Sequence, residues 1–420
     1  MPDVSTPAKV LSFEDARRTV ERQAALVRPV GTESVELLSA AGRVLADATI
    51  ADRDLPPFPR STRDGYAVRS ADVAHVPATL EVIAEIRAGE KVANLPAVIT
   101  MGQAAAIMTG APVPGGADAV VMVEYSSSRG ARVEISRPVQ PGENIVPRGA
   151  EARAGSVLVE PGRRLNDAAI ALAASAGKSE LRVYKRPQVA VLSTGDELVE
   201  VDIVPGPAEI RNSNSYSLAV QIQEAGGEPI RLPIAPDEHK QLRDLIEQGL
   251  EADLLLMTGG VSMGRYDLVE QVLSELQAEF FFTGAQIQPG RPVVFGRCGA
   301  RAPAREKPAT YFFGLPGNPV STMVTFELFA RPMLEALAGM ASRKLVFVHA
   351  RLKSEVKVKP GLKRFLPAIL SGEFENTQVE LVPWQGSGDI AATARANCYI
   401  VIPEDREIIR ANEFVPIMLR

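Results

Sequence analysis

The chain of 420 residues is too long for one ordinary hydrophobic core, so we expect roughly two to four domains. Its hydrophobic content of 46% and charged content of 23% are typical of a globular protein. The net charge of −5, with no basic block, argues against a general nucleic-acid-binding surface, but it permits a small anionic ligand held by backbone amides. Two isolated cysteines and three scattered histidines argue against a zinc site and a disulfide framework.

The N-terminal segment has neither the charged region nor the apolar region of a signal peptide. The most apolar stretches, such as Asp167–Gly177, are too short to span a bilayer. We therefore expect a cytoplasmic protein with no membrane partner.

The N-terminal part begins with a helical pattern. Ser12 and Asp15 have the spacing of a capping box before an amphipathic helix, Phe13–Val27, and a second short helix is predicted at Glu33–Leu38. Short β-rich runs separated by Gly and Pro turns follow. An alanine-rich helix at Asn166–Ala176 is expected to pack back on the first helices, so the β-rich part is interpreted as an insertion.

The central part of the chain repeats a pattern of apolar strand, glycine-containing loop and helix. Buried strands are predicted at Gln188–Ser193, Asp253–Met257 and Tyr311–Phe313, and helices at Ser215–Ala225, Leu268–Leu276 and Val320–Ala338. This pattern indicates βαβ units and a mostly parallel sheet covered on both faces. Alternating runs near the C-terminus predict a further β-domain.

The predicted fold class is multidomain α/β and β. It comprises a central α/β domain with glycine loops, a β-rich insertion, a helical domain and a C-terminal domain that resembles a β-barrel. The predicted bounds are 8–50 and 148–185 for the two parts of the helical domain, 51–147 for the insertion, 186–340 for the α/β domain and 343–420 for the C-terminal domain.

Glycine loops follow the three predicted central strands. The clearest, Thr258 through Gly264, presents consecutive amides before a helix N-terminus, as a phosphate-binding loop does. It lacks the lysine of a P-loop and the spacing of a dinucleotide fingerprint. The alternative is that these glycines only form tight turns, but three such loops on one sheet favour ligand binding.

Carboxylates cluster near the same loops, at Asp196, Glu197, Asp237 and Asp267. Beside a phosphate they suit Mg²⁺, which prefers oxygen ligands. The alternative for each is a helix cap or a solvated surface group, and the cap is a particular alternative for Asp237.

Two loops of the β-rich part also carry polar side chains, Asp64 and Thr109. An Asp and a Thr on rigid loops can orient a water or an oxyanion. Periodicity alone favours an ordinary Asp-Gly hairpin turn at Asp64.

An ordered set of short motifs runs from residue 56 to the C-terminal part of the chain. They are Pro56-Pro57-Phe58, Asp64 to Val68, Met108 to Pro114, Ser193 to Leu198, Asn212 to Ser215, Thr258 to Gly264, Pro289 to Pro292, Leu315 to Ser321 and Gln385 to Gly388. In these motifs the chain resembles the molybdopterin molybdenumtransferase family, which is related to the C-terminal part of gephyrin. Each motif is weak alone, whereas the ordered set is specific.

The resemblance implies a reaction in which molybdate is inserted into adenylylated molybdopterin with release of AMP, in the presence of Mg²⁺. It also implies an elongated homodimer, with the active site between the α/β domain of one chain and the insertion of its partner. A molybdopterin adenylyltransferase is the implied upstream partner, and no nucleic acid is expected.

Site residues follow from the resemblance motif by motif. The catalytic candidates are Asp64, Thr109, Glu197, Asp237 and Asp267, of which Asp237 and Asp267 are also the metal candidates. The implied ligands of the pterin phosphate and nucleotide are Gly259, Gly260, Ser262, Gly317 and Asn318. The implied ligands of molybdate are Arg291, Pro292, Ser321 and Ser387.

The chain departs from the family pattern in its positive charges. Gln288 and Arg291 stand where the family usually has two lysines, and a basic residue is missing near Gly284. In the last domain the arginine that commonly follows a phenylalanine is replaced, with Lys363 or Arg364 as the candidate substitute. Weaker attraction for molybdate is therefore expected.

Two other functions stay open at this stage. A molybdopterin adenylyltransferase shares the α/β domain and its glycine loop, but it lacks the four-domain array. A non-catalytic pterin-binding or scaffold protein on the same fold is suggested by the missing lysines.

Overall fold

The computed structural model describes residues 9–91, 94, 96, 98–260, 268–299 and 309–420. Two predicted site residues, Ser262 and Asp267, lie outside this part of the chain. No helix of the described residues is long and apolar enough to cross a membrane.

The N-terminal helix forms where the sequence predicts it, over Phe13–Ala24. The Ser12 hydroxyl accepts a hydrogen bond from the Asp15 N–H at 3.1 Å and donates one to the Asp15 carboxylate at 2.8 Å. The predicted capping interaction is therefore confirmed. The helix packs on the central part of the chain, since the Phe13 and Phe329 rings lie 6.2 Å apart.

The predicted helix at Glu33–Leu38 is wrong. Residues Thr32–Glu36 form a strand that pairs antiparallel with Glu180–Tyr184, and Leu38–Ala40 form only a short 3-10 helix. Threonine and valine favour a strand, and a distant segment supplies the partner that a local pattern does not reveal.

The alanine-rich helix is present at Asp167–Ser175. It was predicted to pack on the first helices, and it shares a core with Val35 and Leu37, where the second helix was predicted, but not with Phe13–Ala24. It lies in a separate small core with Leu181 and Val183 of the pair just described, whereas Phe13–Ala24 belongs to the central core. The strand at residues 180–184 supplies this apolar contact, and the helix pattern alone did not reveal it.

The β-rich part contains a six-stranded mixed sheet. The strands lie in the order Ala119–Met122, Gly65–Val68, Gln103–Ile107, Ala78–Ile86, Arg132–Ile135 and Ser126–Arg129. Short antiparallel pairs flank it, Thr49–Ile50 with Val157–Val159 and Arg60–Ser61 with Ile145–Val146. Short 3-10 helices lie at Ser70–Val73 and Val123–Tyr125.

The central part contains a second six-stranded sheet. The order is Glu228–Arg231, Gln188–Ser193, Leu254–Thr258, Thr310–Leu315, Val294–Cys298 and Glu279–Phe282. The first four strands are parallel, and within this sheet Val294–Cys298 runs in the direction opposite to the other five strands. The mostly parallel sheet is thus confirmed.

Helices cover both faces of this sheet. They span Asn214–Ala225, His239–Gly249, Leu268–Glu275 and Pro319–Thr325, the last continuing through a π-helical turn, Phe326–Ala330, into Arg331–Leu337. Val189 and Val191 pack into one core, while the alternating Ala190 and Leu192 pack into the other. This alternation explains why the strands are apolar throughout.

The C-terminal part is a closed barrel, as the alternating pattern suggested. Its strands in order are Lys363–Ser371, Gln378–Leu381, Val348–Leu352, Phe414–Leu419 and Cys398–Ile402, and the last pairs with the first. Ile287–Gln288 adds to the first strand from the central part. The remaining elements are a pair, Val356–Lys357 with Ile408–Ile409, a helix, Ile390–Arg395, and a 3-10 helix, Phe374–Asn376.

Two further short pairs are parallel. Val10–Leu11 pairs with Gly284–Ala285, and Leu198–Val199 pairs with Ile210–Arg211. The second pair lies beside the candidate site. The domain bounds given above stay a prediction.

Candidate active site

A cavity of about 400 Å³ lies where three parallel strands end: Gln188–Ser193, Leu254–Thr258 and Thr310–Leu315. The described part of its wall comes from the loops after these strands, from residues 210–214 and from Pro292. This is the edge of a parallel sheet where ligands bind.

The chain at positions 259 and 260 passes so close to Thr194 that only glycine fits there. Both glycines have positive φ, of 87° and 60°. A Cβ atom on Gly259 would lie 2.3 Å from the Thr194 carbonyl oxygen, and one on Gly260 would lie 2.7 Å from its hydroxyl. Larger residues therefore do not fit, and the backbone of this loop remains open towards the cavity.

Asn214 joins three parts of the cavity wall. Its Nδ2 donates to the Thr258 hydroxyl at 2.9 Å and to the Gly317 carbonyl at 2.7 Å. The Thr258 hydroxyl in turn donates to the Pro316 carbonyl at 3.2 Å, so it must accept from Asn214. The orientation of the Asn214 amide is therefore determined by its partners, and Oδ1 is left as an acceptor.

Two buried oxygens at the cavity have no hydrogen-bond partner among the described residues, Thr194 Oγ1 and Asn214 Oδ1. Thr194 is only 2% exposed. Buried polar atoms are normally paired, so both atoms are suited to bind polar groups of a ligand.

The C-terminal part reaches this site through Ser387. Its hydroxyl accepts a 3.0 Å hydrogen bond from Asn318 Nδ2, and its carbonyl accepts one of 3.0 Å from the Val320 N–H. Gly317 and Asn318 line the cavity, and Ser321 is buried in the first turn of the following helix. Four predicted binding residues thus lie together.

The 288–292 segment lies against the same helix. Pro292 lines the cavity, and a Cβ atom on Gly290 would lie 3.6 Å from the Ser321 carbonyl oxygen. Arg291 is exposed and does not appear in the cavity wall. Gln288 is half-buried and pairs with Arg364 in the barrel. The segment is near the site, although its arginine side chain does not line the cavity.

The two candidates for the missing basic residue differ in their surroundings. Lys363 is paired with Glu14 and lies 4.9 Å above the Phe13 ring. Arg364 is 9% exposed, burial lowers its pKa, and its Nε has no partner among the described residues. Its Nη2 donates to the Lys359 carbonyl at 2.5 Å.

The predicted carboxylates only partly come together. Glu197 lines the cavity, and Asp196 accepts a 3.0 Å hydrogen bond from the Asp237 N–H. The pKa of Asp237 is raised because it is partly withdrawn from water and lies near the negative Asp196 and Glu197. Asp237 is not a helix cap, since Glu238 accepts the helix N–H bonds instead.

Asp64 and Thr109 do not line the cavity in the described part of the same chain. Asp64 Oδ1 accepts hydrogen bonds from the Thr109 N–H at 2.6 Å and from its hydroxyl at 2.8 Å. These two bonds, the backbone one first, lower the pKa of Asp64. The two side chains are thus held together, with Asp64 ionised, but they do not line the cavity of the glycine loops in the same chain.

Several wall residues were not assigned a role from the sequence, among them Thr194, Arg211 and Asn214. Thr194 and Asn214 lie inside motifs that carried the resemblance, and Arg211 directly precedes one of them. Their polar character was visible, but their arrangement around one cavity depends on the folded sheet.

Comparison with known proteins agrees with this arrangement. Residues 11–177 match the family described as MoeA N-terminal region (domain I and II), 190–336 match the probable molybdopterin binding domain, and 349–419 match the MoeA C-terminal region (domain IV). The molybdopterin molybdenumtransferase of Nostoc is 39% identical, over 77% of this chain and 74% of that protein.

The chain belongs to the molybdopterin molybdenumtransferase family. The Haemophilus influenzae molybdopterin molybdenumtransferase is 33% identical over 97% of this chain and 98% of its own. The molybdopterin biosynthesis MoeA protein of Pyrococcus horikoshii OT3 has a TM-score of 0.77 at 30% identity, covering 98% of this chain and all of that one. Membership makes the protein a transferase of molybdenum-cofactor biosynthesis and confirms the resemblance and the fold class.

Proposed function

We propose that the protein inserts molybdate into adenylylated molybdopterin and releases AMP, with a requirement for Mg²⁺. The observation that carries the proposal is the cavity between Gly259, Gly317 and Asn318, which the Ser387 loop of the barrel approaches. Glycine amides suit a phosphate or pyrophosphate, and hydroxyl groups beside them suit a tetrahedral oxyanion.

The proposed division of roles follows the two sides of the site. Backbone and amide groups near the glycine loops hold the pterin phosphate and the nucleotide: Gly259, Gly260, Ser262, Gly317 and Asn318. Molybdate lies towards the helix that begins at Pro319, where the proposed ligands are Arg291, Pro292, Ser321 and Ser387. The pterin dithiolene becomes the ligand of the metal, because soft sulfur is a suitable partner for it.

The carboxylates fit a Mg²⁺ ion that is shared with the substrate. Among the described residues, no three His, Cys, Asp or Glu side chains form a metal-binding group. Mg²⁺ commonly uses one or two carboxylates together with substrate phosphates, so a complete protein cage is not required. Asp237, whose pKa is raised by burial and by the nearby negative charges of Asp196 and Glu197, is the proposed protein ligand together with Asp267. When bound, the ion neutralises phosphate charge; Glu197 and Asp237 orient the polar groups around the reacting phosphate.

We propose further that the active protein is a homodimer. Asp64 and Thr109 lie on the insertion, and the described cavity wall contains no residue of the insertion from its own chain. The partner's insertion would bring the Asp64 carboxylate and the Thr109 hydroxyl to the cavity. A molybdopterin adenylyltransferase is the proposed source of the adenylylated substrate.

The test is AMP release from adenylylated molybdopterin by the full chain, with molybdate, with tungstate and without oxyanion, each with and without Mg²⁺. We expect release that needs both an oxyanion and Mg²⁺. Pterin binding without AMP release under any condition would refute catalysis and favour the scaffold function. Formation of adenylylated molybdopterin from ATP would favour the adenylyltransferase.

A further inference from the structure

The described wall of the cavity contains little positive charge. Its only charged side chains among the described residues are Glu197 and Arg211. A phosphate ester carries negative charge, and Glu197 repels it. Arg211 is therefore the one positive side chain of the described wall that can contact such a group directly.

Arg211 is held in place but not neutralised. Ile210–Arg211 pairs with Leu198–Val199, and Arg211 Nε donates to the Ile203 carbonyl at 3.1 Å. No described residue forms an ion pair with Arg211, whereas the nearby Arg231 pairs with Glu200 at 3.6 Å. A guanidinium anchored through Nε keeps its two Nη groups for an anion.

Two other groups of the same cavity wall suit this anion. The helix Asn214–Ala225, of 12 residues, begins here. Its N-cap residue Ser213 does not cap the helix amides with its side chain, and Asn212 Oδ1 accepts a hydrogen bond from one first-turn amide, Ser215 N–H, at 3.2 Å. The buried Thr194 hydroxyl, without a partner among the described residues, is a second donor at this cavity. A helix N-terminus, an arginine and a hydroxyl together form a common anion-binding arrangement.

We infer that Arg211 binds the phosphate ester of the pterin substrate, together with the start of the Asn214–Ala225 helix and the Thr194 hydroxyl. This inference rests on the proposed function and adds a charged ligand to it. The phosphate is thereby assigned to the part of the cavity wall that carries the short parallel pair of Leu198–Val199 with Ile210–Arg211, whereas molybdate is proposed to bind near Ser387. Arg211 compensates on this side for the low positive charge of the glycine loops.

The experiment compares Arg211→Gln and Arg211→Lys with wild type in the full chain. We measure KM and kcat for adenylylated molybdopterin, and competitive inhibition by inorganic phosphate and by AMP. Arg211→Gln should raise KM and the phosphate inhibition constant about tenfold, with kcat within about twofold, because one charge-assisted hydrogen bond is lost. The KM and the phosphate inhibition constant of Arg211→Lys should lie between those of wild type and Arg211→Gln, since lysine keeps the charge but not the planar guanidinium.

The matched control is Arg231→Gln. Arg231 also supports this region, through Glu200 and a 4.0 Å contact over the Tyr216 ring, but it does not line the cavity. Its variant should keep KM and the phosphate inhibition constant. If Arg211→Gln raises only the inhibition constant of AMP, Arg211 is assigned to the nucleotide phosphate and the pterin assignment is overturned.

Unchanged KM and phosphate inhibition in Arg211→Gln, with a lowered melting temperature, would show that Arg211 only stabilises the short parallel strand pair. If wild type releases no AMP, the proposed function fails by itself. Phosphate binding can still be measured by calorimetry in that case. A phosphate Kd that is equal in wild type and Arg211→Gln would then refute this inference separately.

Discussion

Thr109 lowers the pKa of the neighbouring Asp64 carboxylate. Two hydrogen bonds from Thr109 hold the pKa of Asp64 below its ordinary value, so the carboxylate stays ionised to lower pH than an ordinary aspartate does. For a lowered pKa, the ionised form is lost as pH falls through the folded-state value. Activity that needs ionised Asp64 is therefore lost as pH falls through the folded-state pKa of this carboxyl group.

Thr109→Val should move the acid limb of the kcat/KM profile to higher pH. The hydroxyl bond is lost while the backbone N–H bond, which contributes more, remains, so the move is partial. Thr62→Val, on the neighbouring loop, is the control and should leave the limb in place. An unmoved limb in Thr109→Val, in a folded and active protein, would contradict the role of Asp64 as an ionised group.

Arg291 is the proposed cation for molybdate, although its side chain is exposed and outside the described cavity wall. Arg291→Ala should raise the molybdate concentration for half-maximal AMP release about tenfold and change KM for the pterin little, because charge-assisted bonds to an anion are strong. Arg297→Ala removes an arginine that pairs with Glu279 instead and should have no such effect. An unchanged molybdate requirement would remove Arg291 from the site.

At the scale of elements, Asn214 connects the start of one helix to the loops after two strands. Asn214→Ala loses both Nδ2 bonds and should lower the free energy of unfolding by about 1–3 kcal/mol. Asn214→Asp has nearly the same size, but its carboxylate would face the Gly317 carbonyl, which can only accept. We therefore expect Asp to be at least as destabilising as Ala in urea unfolding. An Asn214→Asp variant with an unchanged free energy of unfolding would show that this connection does not stabilise the loops.

At the scale of the whole molecule, the proposed homodimer makes a distinct prediction. Asp64→Ala and Glu197→Ala chains should each be inactive, since each lacks one side of every shared site. Mixed in equal amounts, half of the dimers are mixed and one of their two sites is intact, so about a quarter of wild-type activity should return. Inactive mixtures in which mixed dimers are shown to form would contradict a shared site.

Local interactions explain which elements the sequence predicts well. The Ser12 cap and the apolar patterns of the Gln188–Ser193 strand and the alanine-rich helix are visible within a few residues of sequence, and these elements form as expected. The glycine loops were recognisable for the same reason. Motif order along the chain was also sufficient to predict the family.

Long-range pairing decides the rest. Thr32–Glu36 becomes a strand because Glu180–Tyr184 pairs with it, and Asn318 contacts Ser387 across 69 residues of sequence. Likewise, Thr194, Arg211 and Asn214 surround one cavity only because the parallel strands end at the same edge of the sheet. A sequence pattern identifies which side chains are available, whereas the path of the chain determines which of them meet.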